Sequence, residues 1–258
     1  MAGNTGTPGA TVAGRVLSLL GAFDETHPSL TLTELAGRAG LPAATAHRLL
    51  AELETWEAIV RAGDARYSIG RRIWDLGLLA REQVGIRQLA SPFLHDLYAA
   101  TRATAHLAER DGTQALYLDR ISGHASVPVV SQIGSRLPLH ATGVGKVLLA
   151  YAPASVQAQV LASLTRVTPY TITAPGRLRE QLRRVLREGY AYTSEEMSLG
   201  ACSVAVPVSD ADGRVIAALG MVVPTLGRDR LRLVAALQVA AQGVNRSITR
   251  ADAATSFR

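Results

Sequence analysis

Val12, Val16, Leu19, Leu20 and Phe23 recur at helical spacing and stop before Thr26-His27-Pro28, which predicts a first amphipathic helix. Thr31 then precedes Leu32-Thr33-Glu34-Leu35-Ala36, and a hydroxyl followed three residues later by glutamate is a capping box, so a second helix begins there. It ends at Gly40, a glycine able to take the left-handed cap, and Pro42 opens a third helix running to about Trp56. Only Gly40-Leu41 separates the two helices. So short a connection is the helix-turn-helix arrangement, in which the second helix can enter a major groove. Ile59-Val60-Arg61, the turn Ala62-Gly63-Asp64-Ala65 and Arg66-Tyr67-Ser68-Ile69 predict a β-hairpin with an arginine on each arm, which makes the domain winged.

Downstream of Gly70, the positions Ile73, Leu76, Leu79, Ala80 and Val84 line one side of an expected interdomain helix. Its stripe either packs on its own chain or is shared with a second subunit, and a two-fold dimer would offer two recognition helices to a palindromic site. The pattern then turns α+β. A helix over Ile86–Thr101 precedes a hairpin, Thr104–Glu109 with Gln114–Ile121, turning at Asp111-Gly112. Pro128–Ile133 reads as a strand, Gly145–Tyr151 and Arg177–Glu188 as helices, and Cys202–Val208 with Val215–Val223 as a second hairpin across Ala211-Asp212-Gly213. A last helix from about Arg230 to Thr249 buries Leu233, Leu237, Ala240 and Val244. This order suits an antiparallel sheet flanked by helices.

The chain has 258 residues, 48% of them hydrophobic and 19% charged, enough for a normal core and for two domains. Its longest apolar stretches fall well short of the roughly 20 residues that span a bilayer, and the opening MAGNTGTPGAT lacks the basic and apolar regions of a secretory signal, so a cytoplasmic protein with a disordered tail over residues 1–11 is expected. The net charge of +6 permits nucleic-acid binding without arguing for it, because residues 1–82 hold eight Arg against nine acids. DNA binding rests on geometry instead. In the third helix Ala46, Leu49, Leu50 and Leu53 form the apolar stripe, leaving Ala43, Ala44, Thr45, His47 and Arg48 on or beside the opposite face. The two alanines permit close approach, while Arg48 can pair with guanine or phosphate and Thr45 and His47 can hydrogen-bond to either. Arg61 and Arg66 on the hairpin can reach phosphate or a narrow minor groove. A helical hairpin with a merely solvated face remains the competing interpretation of the spacing alone.

The string Leu41-Pro42-Ala43-Ala44-Thr45-Ala46-His47-Arg48-Leu49-Leu50, with the wing and Gly70-Arg71-Arg72, resembles the N-terminal domain of the IclR family of bacterial transcriptional regulators. Arg136-Leu-Pro-Leu-His140-Ala-Thr-Gly-Val-Gly145-Lys146-Val-Leu-Leu-Ala150 is similar to that family's effector-domain signature, and Glu195-Glu196, Gly200 and Cys202-Ser-Val-Ala-Val-Pro207 to its second block. The resemblance covers about residues 12–250. It implies a winged helix-turn-helix over 12–70, an interdomain or dimerisation helix over 71–84, a GAF-like effector-binding domain over 85–250 and a flexible tail over 251–258. It also implies a homodimer or dimer of dimers on pseudo-palindromic double-stranded operator DNA, repression relieved by a small organic effector, and no cofactor. The helix Arg71–Glu82 would link effector and DNA sites mechanically.

His140, Thr142, Gly143 and Gly145 fall between a strand and a helix start, where free N–H groups and the helix dipole can hold a carboxylate or carbonyl. By spacing alone this is an ordinary glycine-rich turn; the resemblance makes it an effector pocket. Gly143-Val-Gly-Lys146, which carries the chain's sole lysine, lacks the frame of a nucleotide P-loop. A thiol enzyme built on Cys202 and a histidine such as His140 is the competing class, but no local base or helix N-terminus lowers that thiol's pKa. Histidines 95, 106, 124 and 140 have no metal-ligand spacing and read as surface or hydrogen-bonding residues.

The resemblance places Cys202 facing the ligand. Family members that sense small hydrophilic acids often carry an aspartate about ten residues before the cysteine and serines on the strand after it; here Thr193 stands for the charge, and Gly220 and Val222 for the hydroxyls. Fewer polar groups lower the cost of burying an apolar ligand. A larger or more apolar effector, aromatic in type, is therefore expected against Leu137, Leu139, Thr142, Gly143, Thr193, Cys202, Gly220 and Val222.

Overall fold

A computed structural model describes residues 11–24, 26–77, 79, 81–123, 127 and 130–256. The chain divides into two compact units at Val84/Gly85.

In the first unit, α1 (Val12–Leu20), β1 (Ser29–Thr31), α2 (Leu32–Ala39), α3 (Ala43–Thr55), β2 (Ile59–Arg61) and β3 (Arg66–Ile69) follow in order, then α4 (Arg71–Gly77). The capping box is present: the Glu34 N–H donates to Thr31 Oγ1, and Glu34 Oε2 accepts from the Thr31 N–H. Gly40 takes the left-handed conformation, φ 65°, that an L side chain resists. Pro42 caps α3 from outside, with extended backbone, so the helix starts at Ala43, one residue later than the proline suggests. Leu19, Leu35, Leu50 and Ile59 are at the centre of a core to which α1, α2, α3 and the hairpin all contribute. β3 pairs antiparallel with β2, as the hairpin requires, and also with β1, Leu30 opposite Tyr67. The β1 pairing is non-local, and a three-residue strand has too little alternation to announce it.

The expected single helix over 71–84 is two. α4 stops at Gly77, Leu79 lies in a turn whose N–H reaches the Leu76 carbonyl, and α5 begins at Arg81. A glycine inside a helix costs about 1 kcal/mol relative to alanine and favours the break. Ile73 packs partly on the first unit's core, whereas Leu76 is 48% and Leu79 72% exposed. Ala80 lies outside the described residues, as does the side-chain setting of Val84.

α5 (Arg81–Thr101) leads into the second unit, where β4 (Thr104–Asp111), β5 (Gln114–Ile121), β6 (Arg136–Pro138), α6 (Gly143–Ala150), α7 (Ala154–Ala162), α8 (Pro175–Glu188), β7 (Ala191–Ser194), β8 (Cys202–Ser209), β9 (Val215–Val223) and α9 (Arg230–Ser256) follow. The six strands form one antiparallel sheet in the order β6-β5-β4-β9-β8-β7. Alternation sorts the two faces. Leu107, Val204, Val206, Leu219 and Met221 pack on α5 and α9, and Ala108, Tyr117, Ala205 and Ala218 pack towards α6, α7 and α8. The α+β reading is thereby established. The described part of the expected strand 128–133 is a bend and turn, with Gly134 at φ 91°, and the strand there is β6. Residues 251–256, expected as tail, continue α9, while 1–10 and 257–258 lie outside the described residues. α7 and β7 had no expected counterpart. No helix among the described residues is long and apolar enough to cross a membrane.

Candidate functional site

Two sites arise, one in each unit. In the first, the buried stripe of α3 is Ala46, Leu49, Leu50 and Leu53, so Ala43, Ala44, His47 and Arg48 are exposed and Thr45 is half-buried. Arg48 has no hydrogen bond or ion pair among the described residues, which leaves its guanidinium free for a partner. The hairpin arginines differ. Arg61 is exposed and lies over the Tyr67 ring at 5.5 Å. Arg66 turns inward: its Nη2 donates to the Ser29 carbonyl at 2.7 Å and to Glu34 Oε2 at 3.3 Å, tying β3 to β1 and to the α2 cap. Arg66 is thus held by its own domain through Nε and Nη2, whereas Arg61 is not.

In the second unit, the start of α6 meets the sheet at a cavity of about 50 Å³. Thr142 caps α6, its Oγ1 accepting from the Gly145 N–H at 3.1 Å. Two glycines in one helical turn are unfavourable unless space demands them. Here it does: a Cβ on Gly143 would lie 2.6 Å from Ser203 Oγ, and one on Gly145 would strike Thr142 and the Leu139 backbone. Gly220 on β9 is similarly constrained, since a Cβ there would lie 2.7 Å from Val144. Glycine therefore lets α6 close on β8 and β9.

Of the eight expected contacts, the cavity gathers Leu137, Thr142, Gly143, Thr193, Gly220 and Val222. It does not gather Leu139, fully buried in the core beneath, or Cys202. Cys202 is at the first residue of β8, and period-two alternation puts the next residue, Ser203, on the cavity face, where its hydroxyl meets Thr193 Oγ1 at 2.6 Å. The cysteine is 7% exposed, with Ser194 Oγ 3.5 Å from its sulfur.

Sequence reasoning left out His106, Tyr117 and Ser131, which also line the cavity. His106 is 3% exposed, hydrogen-bonded through Nε2 to Ser131 Oγ at 2.8 Å and edge-on to Tyr117 at 5.1 Å. Burial, aided by the nearby Arg120 charge, pushes its pKa down to about 3, so the ring is neutral. Burial also raises the Tyr117 hydroxyl above its ordinary value, against a hydrogen bond with Thr142. One signal for His106 was available: a polar residue between Ala105 and Leu107 in a buried strand needs a partner.

Lys146 lies away from this cavity, 1% exposed, its Nζ 2.6 Å from Glu196 Oε1 and 2.5 Å from Gln181 Oε1. Burial pushes the amine down and the Glu196 carboxyl up, and their mutual attraction opposes both shifts. His140 is buried as well, bonded through Nε2 to the Thr165 carbonyl at 2.8 Å, whereas His95 reaches only the Ser91 carbonyl of its own helix; His124 lies outside the described residues. Among the described residues no three His, Cys, Asp or Glu are grouped to hold a metal ion.

Residues 4–63 match the IclR helix-turn-helix domain and residues 79–246 the bacterial transcriptional regulator IclR C-terminal domain. The chain is 32% identical to the HTH-type transcriptional regulator KdgR of Escherichia coli, over 90% of each chain. It is 34% identical to XynR of the same organism, over 80% of this chain and 83% of that one. Among solved structures, an IclR homolog of Microbacterium hydrocarbonoxydans complexed with 4-hydroxybenzoate superposes with a TM-score of 0.89 at 33% identity, covering 92% of this chain and 99% of that one. The chain belongs to the IclR family of bacterial transcriptional regulators, with a helix-turn-helix DNA-binding domain and an effector-binding domain, and it is a regulator rather than an enzyme.

Proposed function

We propose that this protein is a cytoplasmic repressor that binds a pseudo-palindromic operator as a dimer and releases it when an aromatic acid fills the cavity of its second unit. The cavity carries the proposal. Gly220 and Val222 give it an apolar floor, while Thr142, Thr193 and Ser203 place hydroxyls at the end where α6 begins. The N–H groups of Gly143 and Val144 precede the first intrahelical bond of α6 and, with the positive end of its dipole, suit a carboxylate. The bound 4-hydroxybenzoate of the Microbacterium homolog agrees with this chemistry.

On DNA, Ala43, Ala44, Thr45, His47 and Arg48 enter the major groove and Arg61 touches the backbone. Exposed Leu17, Trp74, Leu76 and Leu79 give the first unit an apolar surface suited to a second subunit, and pairs of dimers follow the same logic. Calorimetric titration tests the effector class: benzoates bind, and glyoxylate and pyruvate do not. Tight binding of glyoxylate, undiminished in Val222→Asp, would contradict it. Light scattering that shows a monomer at working concentration would contradict the dimer.

A further inference from the structure

Resting on that reading of the cavity as an aromatic-acid site, we infer that its far end reads a neutral hydroxyl across the ring from the acid group, through His106 and Ser131. The sheet sets the distance between the two ends. Ser203 on β8 pairs with Val222 on β9, which pairs with Thr104 on β4; one step along, Ala205, Gly220 and His106 form the next row. Two strand spacings, about 10 Å, separate the hydroxyls of β8 from the polar residues of β4, with Gly220 and Val222 between them. One benzene ring with a hydrogen bond at either end spans that gap, its face on β9.

The far end is built for a group that both donates and accepts. His106 is neutral there and offers one N–H and one lone pair, and Ser131 Oγ at 2.8 Å is itself a donor and acceptor. Ser131 is fixed by Arg120, whose Nη1 donates to the Ser131 carbonyl at 3.0 Å. Thr104, fully buried two residues from His106 on the same face of β4 but not on the cavity wall, has a hydroxyl with no hydrogen-bond partner among the described residues. His106 and Ser131 both line the cavity, and beyond the bond between them each has hydrogen-bonding capacity left for a ligand. An unsubstituted or methyl-bearing ring leaves that capacity unused, and a site made to bond a hydroxyl discriminates strongly against analogues without one.

Calorimetric titration of the full chain with 4-hydroxybenzoate, 4-methylbenzoate and terephthalate tests this. The expected result is 4-hydroxybenzoate bound at least tenfold more tightly than either analogue, with the preference over 4-methylbenzoate falling towards one in Ser131→Ala and in His106→Leu. Retained binding of 4-methylbenzoate by each variant shows that it is folded, and Ser131→Ala carries the test if His106→Leu does not fold. Equal binding of the hydroxy and methyl compounds by the unsubstituted protein, a preference untouched by both substitutions, or tighter binding of terephthalate overturns the hydroxyl assignment while leaving the aromatic-acid reading standing. No binding by any of the three overturns both.

Discussion

Thr193 Oγ1 and Ser203 Oγ lie 2.6 Å apart on paired strands, directly beneath the start of α6, where Gly143 passes too close to Ser203 to carry a side chain. A methyl added at 143 must push α6 off β8 or break the hydroxyl pair. Gly143→Ala is expected to cost about 1–3 kcal/mol of stability through overpacking and to lower 4-hydroxybenzoate affinity at least tenfold. Pairing it with Ser203→Gly should restore the stability but not the affinity. Thermal melting and calorimetry on the two variants check this; unchanged affinity in Gly143→Ala contradicts it.

Lys146 and Glu196 are held together in the core of the second unit. Lys146→Met leaves a buried carboxylate without its cation, an effect of about 3–5 kcal/mol. In the double variant Lys146→Met, Glu196→Gln no charge is left unpaired, so most of the loss should return. Urea denaturation read from the second unit measures both, and independent, additive losses would contradict the pairing.

His106 makes stability depend on pH. The folded protein keeps the ring neutral down to about 3, whereas the unfolded chain protonates it below the ordinary value of 6.5. The contribution is therefore complete above pH 6.5 and lost as pH falls from 6.5 towards 3, by about 1.4 kcal/mol per unit. His106→Gln removes that slope. Unfolding free energies of protein and variant at pH 7 and pH 5 should differ in pH dependence by about one proton, and parallel curves would contradict the burial of a neutral ring.

The arginines of the first unit separate into two roles. Arg48→Ala should weaken operator binding by about 1–3 kcal/mol and relax sequence preference if it reads a base. Arg66→Ala should instead lower the melting temperature of the first unit, because it releases β1 and the α2 cap. Anisotropy titrations on operator and scrambled duplex, with melting curves alongside, distinguish them; equal loss on both duplexes assigns Arg48 to phosphate.

Local features were the legible ones. The Thr31–Glu34 cap, Gly40, both hairpins of the second unit and the buried stripe of α3 each depend on residues within a few positions of one another. Six of the eight expected cavity residues came together because the resemblance to the family, rather than any periodicity, implied their places. Cys202 failed by a single residue, which in a strand exchanges one face for the other. Arg66, His106 with Ser131, and Lys146 with Glu196 depend on partners 25 to 50 positions away. No periodicity in one chain encodes such pairings.

The central claim is that filling the cavity of the second unit changes DNA binding by the first. Its most direct test is the affinity for a duplex operator, selected from a random-sequence pool, measured by fluorescence anisotropy with and without saturating 4-hydroxybenzoate. The account predicts at least tenfold weaker operator binding with the ligand present, a coupling of about 1.4 kcal/mol, and the same response in Gly143→Ala only at ligand concentrations at least tenfold higher. Tight binding of 4-hydroxybenzoate with operator affinity unchanged would contradict it.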